Sequence, residues 1–120
     1  MTVTLYNRFG GGWKRTVLEG VWARWSRGYS YTGGGMDSGR EESLLLIPWR
    51  EGYLTPEAFQ TCMDPAGHFT FQAGDGVLAG EGPEVPAGHL KTALPEVQIL
   101  SEVRTHQAGS PLDHWEVLAR

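Results

Sequence analysis

Residues 67–80 read Gly67-His68-Phe69-Thr70-Phe71-Gln72-Ala73-Gly74-Asp75-Gly76-Val77-Leu78-Ala79-Gly80. Two short apolar runs flank a Gly-Asp-Gly turn, and Gly80 closes the unit. Phe69 and Phe71 share one side of a pleat with Thr70 on the other, and the glycines beside Asp75 reach positive φ at little steric cost, so the stretch predicts a β-hairpin. Its message is structural. No nucleophile, metal cluster or phosphate cradle accompanies it, and Asp75 reads as a turn former rather than a catalytic acid.

The same strand-and-turn grammar extends in both directions. Val3 and Leu5 alternate with threonines over Thr2 to Tyr6, the pattern of a half-buried strand, and Gly10-Gly11-Gly12 ends it. Arg15 to Trp25 is a longer β-rich segment with Val21, Ala23 and Trp25 on one face and Trp22 and Arg24 on the other; Gly20 marks a bulge or bend. After the short alternating piece Tyr29-Ser30-Tyr31, residues Thr32 to Glu42 offer too little apolar surface to offset their ordering entropy and read as a flexible loop that orders on contact with a partner. Ser43 to Pro48 is apolar on both faces and stops at a proline. Thr55 as N-cap, Pro56 at the first helical position and Glu57 in the first turn start a short helix, which Asp64-Pro65-Ala66-Gly67 ends.

Beyond the predicted hairpin, the proline-bearing Gly82 to Pro95 reads as a crossing loop with one helical turn near His89 to Ala93. Glu96 to Arg104 and His114 to Leu118 supply the last strands, and no internal repeat is present. About seven or eight short strands at near-ten-residue intervals predict an all-β fold, a small single-domain β-barrel or β-sandwich over residues 1–120 with one short helix and a flexible loop at 32–42.

Composition agrees with that class. A chain of 120 residues, 40% hydrophobic and 20% charged, has room for one modest core, and 17 glycines are more than helix interiors tolerate. The net charge of −4 argues against a generally basic nucleic-acid binder. Cys62 is alone, so no internal disulfide is expected and synthesis in a reducing cytoplasm fits. The N-terminal residues lack the charged start and apolar stretch of a signal peptide, and no run approaches membrane-span length; the expectation is a soluble, unprocessed chain with no membrane partner.

The chemistry-bearing residues have simpler readings. His68, His89, His106 and His114 lie in separate segments without metal-ligand spacing and read as surface or turn histidines. Cys62 reads as a small apolar residue, and Asp37, Glu41 and Glu42 sit in a loop that cannot hold them as acid and base. The expectation is no enzyme, no cofactor and no metal. Arg8, Lys14, Arg15, Arg24 and Arg27 crowd the first quarter of the chain; a solvated face balanced by nearby acids is favoured over a positive face that meets phosphate backbones or an acidic protein partner. Trp25 and Trp115 read as core. Trp13, beside a triple glycine, Trp49, after Pro48, and Trp22, opposite Val21 and Ala23, read as nearer the surface. With Arg24, Arg27, Met36 and Arg40 they form the interface candidates.

The layout resembles that of small head-completion or head-tail connector proteins, stopper-like or minor capsid components, of long-tailed bacteriophages and prophages. The resemblance is carried by Val3-Thr4-Leu5-Tyr6-Asn7, the Arg15 to Trp25 segment with Gly20-Val21-Trp22, Leu46-Ile47-Pro48, Phe69-Thr70-Phe71 leading into Gly74 to Gly80, Val97 to Val103, and His114-Trp115-Glu116-Val117. It implies an all-β barrel that self-associates into a ring between portal or adaptor and tail proteins. It also implies proximity to packaged DNA and a place in the virion after synthesis in the bacterial host cytoplasm. The loop at 32–42 is then expected to face the ring channel or a neighbouring subunit. A carbohydrate- or protein-binding β-sandwich using exposed tryptophans is the alternative.

Overall fold

In the computed structural model, residues 1–25 and 42–120 are described. Seven strands form one antiparallel sheet: β1 (Val3–Phe9), β2 (Gly12–Leu18), β3 (Trp22–Arg24), β4 (Ser43–Pro48), β5 (Gly76–Ala79), β6 (Gln98–His106) and β7 (His114–Ala119). Helix α1 (Pro56–Thr61) precedes β5, and the single turn α2 (Leu90–Ala93) precedes β6. The all-β class is as the sequence predicts.

Strand order is β2-β1-β5-β6-β7-β4-β3. The two edge strands, β2 and β3, are consecutive in the chain and only Glu19, Gly20 and Val21 separate them. Opposite edges joined by so short a link require the sheet to roll up. Strand β6 makes the bend. It pairs with β5 at Gln98 and Ile99, then with β7 from Leu100 onward, with a bulge between Leu100 and Glu102. Bulges of this kind increase local twist and bend the strand that carries them.

The inner faces of the two halves meet in one core, where Val3, Leu5 and Val77 pack with Leu45, Ile47, Trp115 and Val117. The outer face of the β2-β1-β5 half is covered too. Val85, Leu90 and Val97 pack there on Tyr6 and Trp13. Strand β1 is therefore buried on both faces from Val3 to Asn7, although its sequence alternates. Gly82 to Pro95, read as a crossing loop, is the cover.

The Phe69 to Gly80 hairpin does not form. Phe69 bridges Tyr53, its amide donates to the Gly52 carbonyl at 3.0 Å, and its carbonyl accepts from Leu54 at 2.9 Å. Thr70 is held by the Asn7 side chain, whose Nδ2 donates to the Thr70 carbonyl at 2.8 Å while Oδ1 accepts the Thr70 amide at 3.2 Å. With the backbone groups of Phe69 and Thr70 occupied by Gly52, Leu54 and Asn7, strand β5 pairs instead with β1 and β6. A tight hairpin forms instead at β1–β2, where Gly10 and Gly11 sit at φ 59° and 84°; two positive-φ residues in a two-residue turn match the twist of the flanking strands. Arg15 to Trp25 also divides, because the chain turns at Gly20 and carries β3 to the other sheet edge.

The helix signals at Thr55 and near His89 are both met. Thr55 Oγ1 accepts the Ala58 amide at 3.2 Å, Pro56 opens α1, and His89 occupies the N-cap position of α2. The predicted loop at 32–42 lies outside the described residues apart from Glu42, as does Tyr29-Ser30-Tyr31.

Candidate functional site

The outer face of the β3-β4-β7-β6 half has no counterpart to the 82–97 cover among the described residues. Register assigns its rows. Arg24, Leu44, Leu118 and Glu102 lie side by side across the four strands, as do Trp22, Leu46, Glu116 and Arg104. Pro48, His114 and His106 form a third row. The alternate residues, including Leu45, Ile47, Trp115 and Val117, point into the core.

The first two rows mix apolar and charged groups in different orders, Arg-Leu-Leu-Glu in one and Trp-Leu-Glu-Arg in the other. Leu44, Leu46 and Leu118 are half-buried and form the middle of the face, while Trp22, at one margin, is 53% exposed. At the other margin Arg104 donates to Glu102 at 2.8 Å and to Glu116 at 3.4 Å. Both carboxylates, Glu102 first, hold Arg104 above its usual range. A half-exposed apolar centre with an aromatic ring and arginines at its margins has the make-up of a protein-binding surface.

The structure brings two of the interface candidates together. Trp22 and Arg24 share the exposed side of the edge strand β3. Trp49 is 39% exposed, but its ring stacks on buried Trp115 with centroids 4.3 Å apart and the planes at 19°, so one side of it belongs to the core. Trp13 is not at the surface. It is 9% exposed beneath the 82–97 cover, its indole N–H donates to the Gly88 carbonyl at 2.9 Å, and the Arg8 guanidinium lies 4.7 Å from its ring centre. Arg27, Met36 and Arg40 lie outside the described residues. Of the tryptophans read as core, Trp115 is fully buried and Trp25 is partly buried against the core cluster.

The basic residues of the first quarter are largely used within the fold. Lys14 Nζ donates to the His68 carbonyl at 2.9 Å and to Thr16 Oγ1 at 3.0 Å, and burial lowers its pKa. Arg15 donates to the Gly82 carbonyl and lies 3.6 Å from Glu81. These contacts tie β2 to its surroundings. Beside them is a shallow cleft of about 380 Å³ lined by Phe9, the Gly10–Gly12 turn, Trp13, Lys14, Pro65 and Pro86.

Sequence spacing missed one pairing. His106 and His114 are eight positions apart in the chain, yet the β6–β7 register sets them opposite one another with rings stacked at 4.7 Å. His114 Nδ1 lies 2.9 Å from the Leu112 carbonyl, and His106 Nε2 is 3.6 Å from Glu116 Oε1. The signal that finds such a pair is the hairpin turn between the strands, which Asp113 organises by accepting the backbone N–H groups of Ala108, Gly109 and Ser110. Among the described residues no cluster of three or more histidine, cysteine or carboxylate side chains is placed to hold a metal ion. Nor is any helix there long and apolar enough to cross a membrane.

No curated protein and no solved structure matches the chain. A family model does match, over residues 1–120, and its description is that of a family of unknown function, DUF6751. The chain belongs to that family.

Proposed function

We propose that this chain is a structural virion protein of the phage or prophage head-tail connection, a ring-forming head-completion or stopper-like component. The observation that carries the reading is the outer face of β3-β4-β7-β6, which no other described element covers, with Trp22 exposed beside Arg24 on the edge strand. A closed ring needs two different patches per subunit, each covered by a neighbour. This face is one such patch, and the rolled sheet behind it is a rigid support. The layout resemblance supplies the location: portal or adaptor proteins on one side and tail proteins on the other, with packaged DNA nearby.

The carbohydrate-binding alternative draws on the same exposed Trp22. Sugar platforms use aromatic faces open to solvent, and burial removes Trp13 from the set while Trp49 has one face on Trp115. Protein docking is the better fit.

The test is deletion of the gene from an inducible prophage that encodes this chain. The expected result is heads that package DNA but carry no tails and leak their genome, with infectivity restored by expression of the chain in trans. Normal tailed, infectious particles from the deletion strain would overturn the proposal.

A further inference from the structure

The first row of the face carries a charge order that is complementary to itself when reversed. Across the sheet the first row runs cation, apolar, apolar, anion: Arg24 on β3, Leu44 on β4, Leu118 on β7 and Glu102 on β6. Laid on a second copy in the same direction, Arg24 faces Arg24. Turned about a two-fold axis that runs along the strands between β4 and β7, β3 of one copy lies over β6 of the other and β4 lies over β7, with position along the strands kept.

We propose that, away from the particle, this face is covered by the same face of a second copy in that two-fold arrangement. Arg24 then meets the partner's Glu102 at both ends of the contact, and Leu44 meets the partner's Leu118 in the middle. In the second row Trp22 falls over the partner's Arg104 guanidinium, a cation–π pairing that a half-exposed indole and an arginine at the far margin are placed to make, while Leu46 falls over the partner's Glu116, whose carboxylate stays bound to Arg104 of its own chain. The contact is isologous, each patch meeting its own copy, and resembles the aligned face-to-face packing of two sheets. It rests on the connector reading only in its consequence: the docking face is masked in solution and exchanged for a particle contact on assembly.

Four strands about 4.8 Å apart, of which β3 limits the shared rows to three residues at one margin, give a footprint at the small end of specific interfaces. The dissociation constant expected is on the order of 10–100 μM, so that dimer and monomer exchange readily.

Sedimentation equilibrium of the full chain between about 10 μM and 1 mM tests this. The unmodified chain is expected to be a concentration-dependent dimer that weakens with added salt. Arg24→Glu and Glu102→Arg should each weaken association about tenfold or more, a change of ~1.4 kcal/mol, and the double variant should recover most of the loss, because reversal of both charges restores the pair. Trp22→Ala, at an exposed position, should also weaken it while circular dichroism stays unchanged. A chain that stays monomeric at 1 mM, about tenfold or more above the expected constant, overturns the proposal. So does a double charge reversal that associates no better than the single ones. The prophage deletion reads a different property, so a monomer in solution with tailless particles would remove the dimer and leave the connector reading standing.

Discussion

The side-chain amide of Asn7 on β1 donates to the Asp75 carboxylate at 2.8 Å, both residues are buried, and the same amide also holds the Thr70 backbone. Asp75 in turn accepts the Arg8 amide at 3.2 Å. This short polar network fastens the 69–75 segment to β1 where a backbone ladder is absent. Asp75→Ala takes one of two acceptors from the Asn7 amide and the carboxylate acceptor from the Arg8 N–H, and is expected to cost about 1–3 kcal/mol in urea denaturation at neutral pH.

Burial also pushes the Asp75 carboxyl above its ordinary 3.8, with the bonds from Asn7 and Arg8 offsetting only part of the shift. The folded state therefore holds this proton more tightly than the unfolded chain. Its contribution to stability is fully present below the unfolded value, falls as pH rises through the folded value, and is level above it. Carboxyl NMR should place the Asp75 midpoint above 3.8; a midpoint below that value would show that hydrogen bonding outweighs burial.

Trp13 and Trp22 separate packing from surface. Trp13→Ala removes a buried indole and its bond to Gly88, and should cost about 3–5 kcal/mol. Trp22→Ala should change stability by no more than about 0.5 kcal/mol. Equal costs at the two positions, measured by chemical denaturation, would contradict the assignment of Trp13 to the covered face and Trp22 to the open one.

At Gly12 a Cβ would overlap the Pro86 carbonyl oxygen, which is backbone and has no rotamer by which to yield. Gly12→Ala is accordingly expected to destabilise by about 1–3 kcal/mol and to speed amide exchange in the 82–97 cover. Unchanged exchange there would mean that the cover does not depend on this approach.

Loss of the α1 cap is a smaller effect. Thr55→Ala removes the acceptor of the Ala58 amide and should cost about 1 kcal/mol. Thr55→Ser, which keeps the hydroxyl, should recover most of it in the same denaturation measurement.

What the sequence discloses is the local part of this design. Alternation marks β1 and β7, the apolar run ending at Pro48 marks β4, and Thr55-Pro56 marks α1 because a cap is a contact between residues three apart. Phe69 to Phe71 is misread for the opposite reason. Its partners, Asn7 and Gly52 to Leu54, lie beyond α1 or at the far end of the chain, and a side-chain amide in place of a strand leaves no periodic trace. Burial of Trp13 depends on Val85 and Leu90, about seventy-five residues away, folding over it. The open face is half legible. Trp22 and Arg24 share a side by strand period alone, but their alignment with Leu46, Glu116, Arg104 and with Leu44, Leu118, Glu102 comes from register across four strands.

If this rolled sheet is a building block of the head-tail junction, as we propose, images of that junction must contain it. Cryo-electron microscopy of tailed particles from a prophage encoding the chain should resolve, between portal and tail, a ring whose repeating unit fits the seven-strand sheet, with Trp22 and Arg24 buried against a neighbour. Particles whose complete junction density is accounted for by other proteins, with this chain absent from them by mass spectrometry, would contradict it.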